Sequence, residues 1–292
     1  MRILTGKEVA DKTMEEVRVR NLQFLQTTGV KTCLAVILVG DDPASATYVA
    51  SKHKACEHMG FSYKDFHLPG NTSLEAILLL INTLNSNSEV HGILVQIPLP
   101  KHLDEAKVIE MIDPRKDVDG LHPVNIGRLL LGQTGFVACT PAGILRILDH
   151  YGVQTVGKEV VVVGRSSIVG KPISALLVQK GRDATVTMCH SRTNDLGMVT
   201  RRADILVVAI GKPLAITSSM VKPGAVVIDV GINRIEDSSK KRGYRIVGDV
   251  DYNSVAQVCE AITPVPGGVG VMTIAMLMHN TLEAALLQQH KE

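Results

Sequence analysis

Tryptophan is absent and aromatic residues are scarce, 3% of 292 residues. The core must therefore be aliphatic, and no platform for stacking single-stranded bases is expected. An excess of one charge is also missing. Lys and Arg number 31 against 29 Asp and Glu, which leaves no basic field for gripping nucleic acid by its phosphates. No apolar run reaches the roughly 18 residues of a membrane span. The opening residues, Met1 to Glu8, carry no apolar signal core, and Glu8 and Asp11 disfavour a transit peptide. Cys33, Cys56, Cys139, Cys189 and Cys259 stand singly, with no Cys-x-x-Cys pair. Neither a metal site nor a disulfide framework is expected from them. The expectation is a cytoplasmic protein with reduced thiols, no metal, and no nucleic-acid or membrane partner.

What is present is an alternation of short β-branched runs with helical patterns, the signature of an α/β fold with parallel strands. Helices are expected over 7–27, from Pro43 to about Met59, over 74–84, 142–150, 172–180 and 272–289. Strands are expected at 34–39, 61–68, 92–96, 159–163, 184–188, 205–210, 225–230 and 244–248. Residues 113–139 read as a long connection rich in Gly, Pro and Asp, and such stretches are often functional. At about 150 residues per domain the length makes two domains. The first is expected over 1–139 and the second over 140–271, with the final helix and tail, 272–292, packing back on the first.

The run Val160-Val161-Val162-Val163-Gly164-Arg165-Ser166-Ser167-Ile168-Val169-Gly170-Lys171-Pro172 takes a buried strand through a glycine turn into a helix. That arrangement brings backbone N–H groups and a helix N-terminus to a pyrophosphate. The spacing is neither G-x-G-x-x-G nor Walker A, so the turn by itself leaves open an ordinary strand–turn–helix. The next strand ends in Cys189-His190-Ser191-Arg192, without the acid that holds an NAD ribose. Ser191, Arg192 and Arg165 suit a 2′-phosphate instead, which favours NADP. Gly211 and Gly231 end two further strands, and together the three glycine-terminated strands suit a long flat cofactor.

In the first half, Tyr48 and Lys52 are four residues apart and share a helix face. Either the pair tunes the lysine proton or the lysine snorkels along the ring. Gln96 ends an apolar strand before Ile97-Pro98-Leu99-Pro100, where a polar side chain needs a partner. Asp117-Val118-Asp119-Gly120 has the composition of an Asx turn. Thr263 to Gly270 is too glycine-rich for a strand. It reads either as a flexible loop or as a backbone wall for something flat.

Taken in order, these stretches, with Asp42-Pro43-Ala44-Ser45, Lys116-Asp117-Val118-Asp119-Gly120, Cys139-Thr140-Pro141, Asp229-Val230-Gly231-Ile232-Asn233 and Pro266-Gly267-Gly268-Val269-Gly270, closely resemble the bifunctional methylenetetrahydrofolate dehydrogenase/cyclohydrolase family over nearly the whole chain. The resemblance implies two α/β domains flanking a cleft, the first folate-binding and catalytic, the second a Rossmann-like NADP-binding domain, paired as a homodimer through the latter. It implies an enzyme of one-carbon metabolism that oxidises methylene-tetrahydrofolate with NADP and hydrolyses the methenyl product to formyl-tetrahydrofolate. On this pattern Lys52 is the central catalytic residue, Tyr48 and Gln96 position and tune it, and Asp119 holds the pterin. Pro266, Gly267, Gly268 and Val269 face the folate. Thr140, Gly164, Arg165, Ser166, Val169, Ser191, Gly211, Ile232 and Thr273 form the NADP side. Two departures stand out: Val271 and Ala138 each replace a proline common in the family. Two other functions stay open at this point. One is a dehydrogenase with little cyclohydrolase activity. The other is a nucleotide sensor of the same fold, which predicts loss of Lys52, Gln96 or Asp119; all three are present.

Overall fold

The structure, a computed structural model, describes residues 1–240 and 243–289. The chain forms two compact units. One contains Asp11–Cys139 and the last helix from Ile274 onward; the other contains Met1–Ala10 and Thr140–Thr273. The final three residues of the expected 272–292 segment lie outside the described residues.

The first unit is built on a parallel sheet in which Cys33–Val39 lies between Ser62–Leu68 and Gly92–Val95. Every residue of the central strand is buried, which its unbroken apolar run requires of a strand covered on both faces. Ile37, Val39, Ile77, Ile81, Ile93 and Val95 pack together beside it. The chain leaves this strand through Asp42, whose carboxylate accepts the Ser45 N–H at 2.7 Å, and Pro43 sets the first turn of helix Pro43–Met59. That helix ends on Gly60 in the left-handed region. The connection after the third strand is more ordered than its composition suggests. It is preceded by helix Glu105–Met111 and contains helix Pro123–Leu130. The second of these is started by His122, whose Nδ1 accepts the Val124 N–H at 3.0 Å, and by Pro123.

The second unit carries a six-stranded parallel sheet in the order Arg2–Ile3, Ala261–Ile262, Val226–Asp229, Ile205–Val208, Glu159–Val163, Thr185–Cys189. Strand order reverses beside Glu159–Val163, the place where open α/β sheets take their ligands. Residues 1–10 were expected with the first domain. They fall in this unit because Arg2 and Ile3 pair with Ala261 and Ile262. The strand expected at 244–248 is not part of the parallel sheet; Tyr244–Val247 forms an antiparallel hairpin with Asn233–Glu236.

Helix Val269–Gln289 has the length and mean hydropathy, 1.3, of a membrane-spanning segment, contrary to the expectation that no such run exists. Most of it is buried inside the protein, which is the setting of a core helix. It begins three residues earlier than expected, so Val269 and Gly270 belong to its first turn.

Candidate active site

Lys52 lies on helix Pro43–Met59 and is only 8% exposed. Its Nζ donates to Gln96 Oε1 at 2.7 Å. Gln96 follows strand Gly92–Val95, and its backbone N–H reaches Ile37 O on the central strand at 2.8 Å. Its side-chain amide donates to the Ile97 carbonyl at 2.7 Å, which fixes the oxygen toward the lysine. The costly polar side chain at a buried strand end has thereby found its partner. Burial pushes the Lys52 ammonium below its ordinary pKa, against the pull of the Asp119 carboxylate. Burial also pushes Asp119 up, opposed by Lys52.

The Asp119 loop is held by buried groups. The Asp117 carboxylate accepts the Leu121 and His122 N–H groups at 3.2 and 2.8 Å and the Asn125 amide at 2.8 Å. Lys116 is buried and spends its ammonium on the carbonyls of Leu84 and Asn87. Gly120 adopts φ +70°, and a side chain there would overlap the backbone of Val137 and Ala138. Asn280 of the last helix donates to Val118 O at 2.9 Å and Val137 O at 3.1 Å. The Cys139 thiol is buried against this loop and its pKa is raised, first by burial and then by Asp119. Tyr48 shares the helix face of Lys52 but is 49% exposed, and Lys52 bonds Gln96 rather than its hydroxyl.

In the second unit, four neighbouring parallel strands end on one edge, and four of the residues expected to face a cofactor come within three residues of those strand ends. Gly164 follows Glu159–Val163, Ser191 follows Thr185–Cys189, Gly211 follows Ile205–Val208 and Ile232 follows Val226–Asp229. Gly164 has φ +137°, and a Cβ there would overlap the Ala209 carbonyl. The Ser166 hydroxyl accepts the N–H groups of Val169 and Gly170 at 3.2 and 3.4 Å, so it caps the helix that begins at Gly170. The N–H groups of residues 165–168 meet no acceptor among the described residues. Arg165, Ser166, Ser191 and Arg192 are exposed, and neither arginine has an acid partner among the described residues. An exposed turn of unpaired N–H donors flanked by free guanidinium groups fits a phosphorylated dinucleotide. Thr140 and Thr273 join their hydroxyls at 3.1 Å. Residues 264–271, which include the expected folate wall Pro266, Gly267, Gly268 and Val269, line a pocket of about 140 Å³ together with Gly231 and Ile232. Among the described residues no cluster of His, Cys, Asp or Glu is placed to hold a metal ion.

Sequence reasoning missed two residues of this unit. Asp229 and Asp249 are 3% and 0% exposed. Asp229 accepts the N–H groups of Gly231, Asp249 and Val250, each at 3.0 Å. Asp249 accepts those of Ile210 and Gly211 at 2.7 and 2.9 Å and the Asn233 amide at 2.8 Å. The available signal was an acid at the end of each of two apolar runs, Val226-Val227-Ile228-Asp229 and Val247-Gly248-Asp249-Val250.

A parallel sheet with its glycine turn at the point of strand reversal defines a doubly wound α/β protein whose ligand edge has the form that takes dinucleotides. Comparison with known proteins narrows the class. The family model for the tetrahydrofolate dehydrogenase/cyclohydrolase catalytic domain matches residues 4–119, and that for the family's NAD(P)-binding domain matches 138–289. The bifunctional protein FolD of Acetivibrio thermocellus is 53% identical over 98% of each chain. A crystal structure of the bifunctional dehydrogenase/cyclohydrolase FolD from Campylobacter jejuni is 49% identical, with a TM-score of 0.93 over 98% of this chain and 99% of that one. The Trypanosoma brucei enzyme, solved with NADP and an inhibitor, is 38% identical, with a TM-score of 0.92 over 98% and 97%. The chain belongs to the tetrahydrofolate dehydrogenase/cyclohydrolase family.

Proposed function

We propose that this enzyme carries out both steps of its family, the NADP-dependent oxidation of methylene-tetrahydrofolate to methenyl-tetrahydrofolate and the hydrolysis of that product to formyl-tetrahydrofolate. The observation that carries this reading is the buried Lys52 ammonium held on the Gln96 carbonyl oxygen. NADP, when bound, supplies the two-electron acceptor for the first step. The lone pair of a folate nitrogen drives that step, so the protein's part is alignment rather than strong base chemistry. Asp119 holds the pterin, and residues 266–269 form the wall that faces the folate. Thr140, Gly164, Arg165, Ser166, Val169, Ser191, Gly211, Ile232 and Thr273 hold the nucleotide, with Arg165 reading its 2′-phosphate.

The hydrolytic step needs a proton acceptor near neutrality. Water adds its oxygen to the methenyl carbon and gives a proton to neutral Lys52. The ammonium so formed returns that proton to the folate nitrogen as the carbon–nitrogen bond opens, and the adduct's remaining hydroxyl proton passes to the freed amine, and from it to solvent, as the oxygen becomes the formyl carbonyl. Burial shifts Lys52 toward the neutral amine by disfavouring the charge, and the cationic substrate adds to that effect. Gln96 serves by aiming the amine, and Tyr48 closes the same helix face. We also place the enzyme in the cytoplasm as a homodimer joined through its nucleotide unit. The buried free thiols of all five cysteines support the first. The edge strand Thr185–Cys189, bonded on one side in its sheet, supports the second.

The test is purified protein with methylene-tetrahydrofolate and NADP, followed by the absorbance of the methenyl product and its decay. Methenyl absorbance that rises and then decays is expected. A rise without enzymatic decay would reduce the enzyme to a dehydrogenase, and no rise would overturn the reading.

A further inference from the structure

Asp229 and Asp249 lie outside the chemistry just described, yet both are buried acids at the ligand edge of the nucleotide unit. Their bonds are directed at the loops that follow two strands. One oxygen of Asp249, Oδ2, gathers the N–H groups of Ile210 and Gly211, and the other, Oδ1, takes the Asn233 side-chain amide. The first arm fixes the turn after Ile205–Val208 and the second fixes the turn after Val226–Asp229. Asp249 is itself held from behind, because its own N–H donates to Asp229 Oδ1 at 3.0 Å. The fit is close on both sides. A Cβ on Gly231 would overlap the Asp249 side chain, and one on Gly248 would overlap the Asp229 carboxylate. Gly211 and Ile232, the exposed residues of the two turns, sit within one position of atoms that Asp249 grips.

We infer that Asp249 is a positioning residue for the nicotinamide nucleotide. As a doubly engaged acceptor it sets the spacing of the Gly211 and Ile232 turns, without touching the nucleotide itself. A carboxylate suits this task because it accepts on both oxygens, whereas an amide must present one donor. In Asp249→Asn, one orientation of the amide keeps the Ile210 and Gly211 bonds and turns its NH₂ toward the Asn233 NH₂. The two turns then lose their common tie. The inference rests on the functional reading above and adds a residue to it.

Cyclohydrolase activity uses no nucleotide, so it separates a positioning role from a structural one. In Asp249→Asn the dissociation constant for NADP, measured by calorimetry without folate, is expected to rise about tenfold or more, while cyclohydrolase turnover stays within about threefold. The double variant Asn233→Asp with Asp249→Asn exchanges donor and acceptor across the same 2.8 Å contact. It is expected to recover most of the NADP affinity. Unchanged NADP binding in Asp249→Asn overturns the inference. So does parallel loss of both properties that the double variant fails to repair. If Asp249→Asn does not fold, Asn233→Ala cuts the second arm alone; weakened NADP binding with cyclohydrolase retained supports the inference, and unchanged binding overturns it. Wild-type enzyme that bound no NADP would overturn the functional reading itself, a result distinct from any of these.

Discussion

Lys52 and Gln96, 44 residues apart in the chain, meet through a 2.7 Å hydrogen bond from ammonium to carbonyl oxygen. The bond joins the helix after one parallel strand to the end of the adjacent strand. The sheet thereby aims an amine that burial holds below its ordinary pKa.

Replacing Lys52 by Met keeps most of the side-chain length and removes the amine. Cyclohydrolase activity should fall by ~10²-fold or more, as expected for loss of a general base. Dehydrogenase activity should fall less, so methenyl product should accumulate in a coupled assay. Equal loss of both activities would make Lys52 a folate-orienting residue instead.

Gln96→Glu tests the tuning of the same amine. A carboxylate 2.7 Å from Nζ stabilises the ammonium and should raise its pKa. Water activation requires the neutral amine, so the rising limb of the cyclohydrolase pH profile should move to higher pH. NADP affinity should stay unchanged. A profile that does not move would separate Gln96 from the titration of Lys52.

Arg165→Ala addresses the nucleotide. Guanidinium groups pair with phosphate through two parallel hydrogen bonds, and Arg165 is exposed on the glycine turn. The Michaelis constant for NADP should rise far more than that for NAD. Equal changes for the two would mean that Arg165 does not read the 2′-phosphate.

His91 makes the first unit sensitive to acid. It is 1% exposed, and its Nδ1 accepts the Cys33 N–H at 3.1 Å. Burial, helped by Lys116, holds its pKa down to about 4 against an ordinary 6.5. Between those values the unfolded chain binds a proton that the folded chain refuses. The stabilisation is therefore complete above pH 6.5 and is lost as pH falls toward 4, by about 3 kcal/mol. Urea titrations across this range should show the loss in the native protein and a flatter response in His91→Asn. An identical acid slope in the variant would place the sensitivity elsewhere.

Val271 is the third residue of the last helix and 38% exposed. Its N–H lies in the first turn, where helical acceptors are lacking, and the Gly267 carbonyl four residues before it already accepts Gly6 and Lys7. Val271→Pro therefore sacrifices no helical bond and should stabilise the protein by ~0.4–1 kcal/mol by restricting the unfolded chain. A lower melting temperature would mean that the backbone here has adapted to valine.

Periodicity and punctuation made most of the fold legible. Pro43 and Gly60 bound one helix, and the valine run before Gly164 marks the strand beside the reversal in strand order. Gln96 was conspicuous because a polar residue ended an apolar strand. Two-residue strands carry no period, so Arg2–Ile3 and Ala261–Ile262 were invisible. Tyr244–Val247 reads as a strand locally, but its antiparallel partner is a matter of tertiary pairing. Asp229 and Asp249 escaped for a related reason. Their bonds run to backbone N–H groups brought close by folding, and an acid in a glycine-rich stretch resembles any turn residue until those donors are seen.

The pairing of Arg2 with Ala261 also governs the order in which the protein is completed. An emerging chain makes the edge strand of the nucleotide sheet first and its partner near the end. That sheet closes only after nearly the whole chain has left the ribosome, and the contact spans a very long loop. A fusion or truncation at the first residues should accordingly disturb NADP binding before it disturbs the unit of residues 11–139, although that unit is the nearer of the two along the chain.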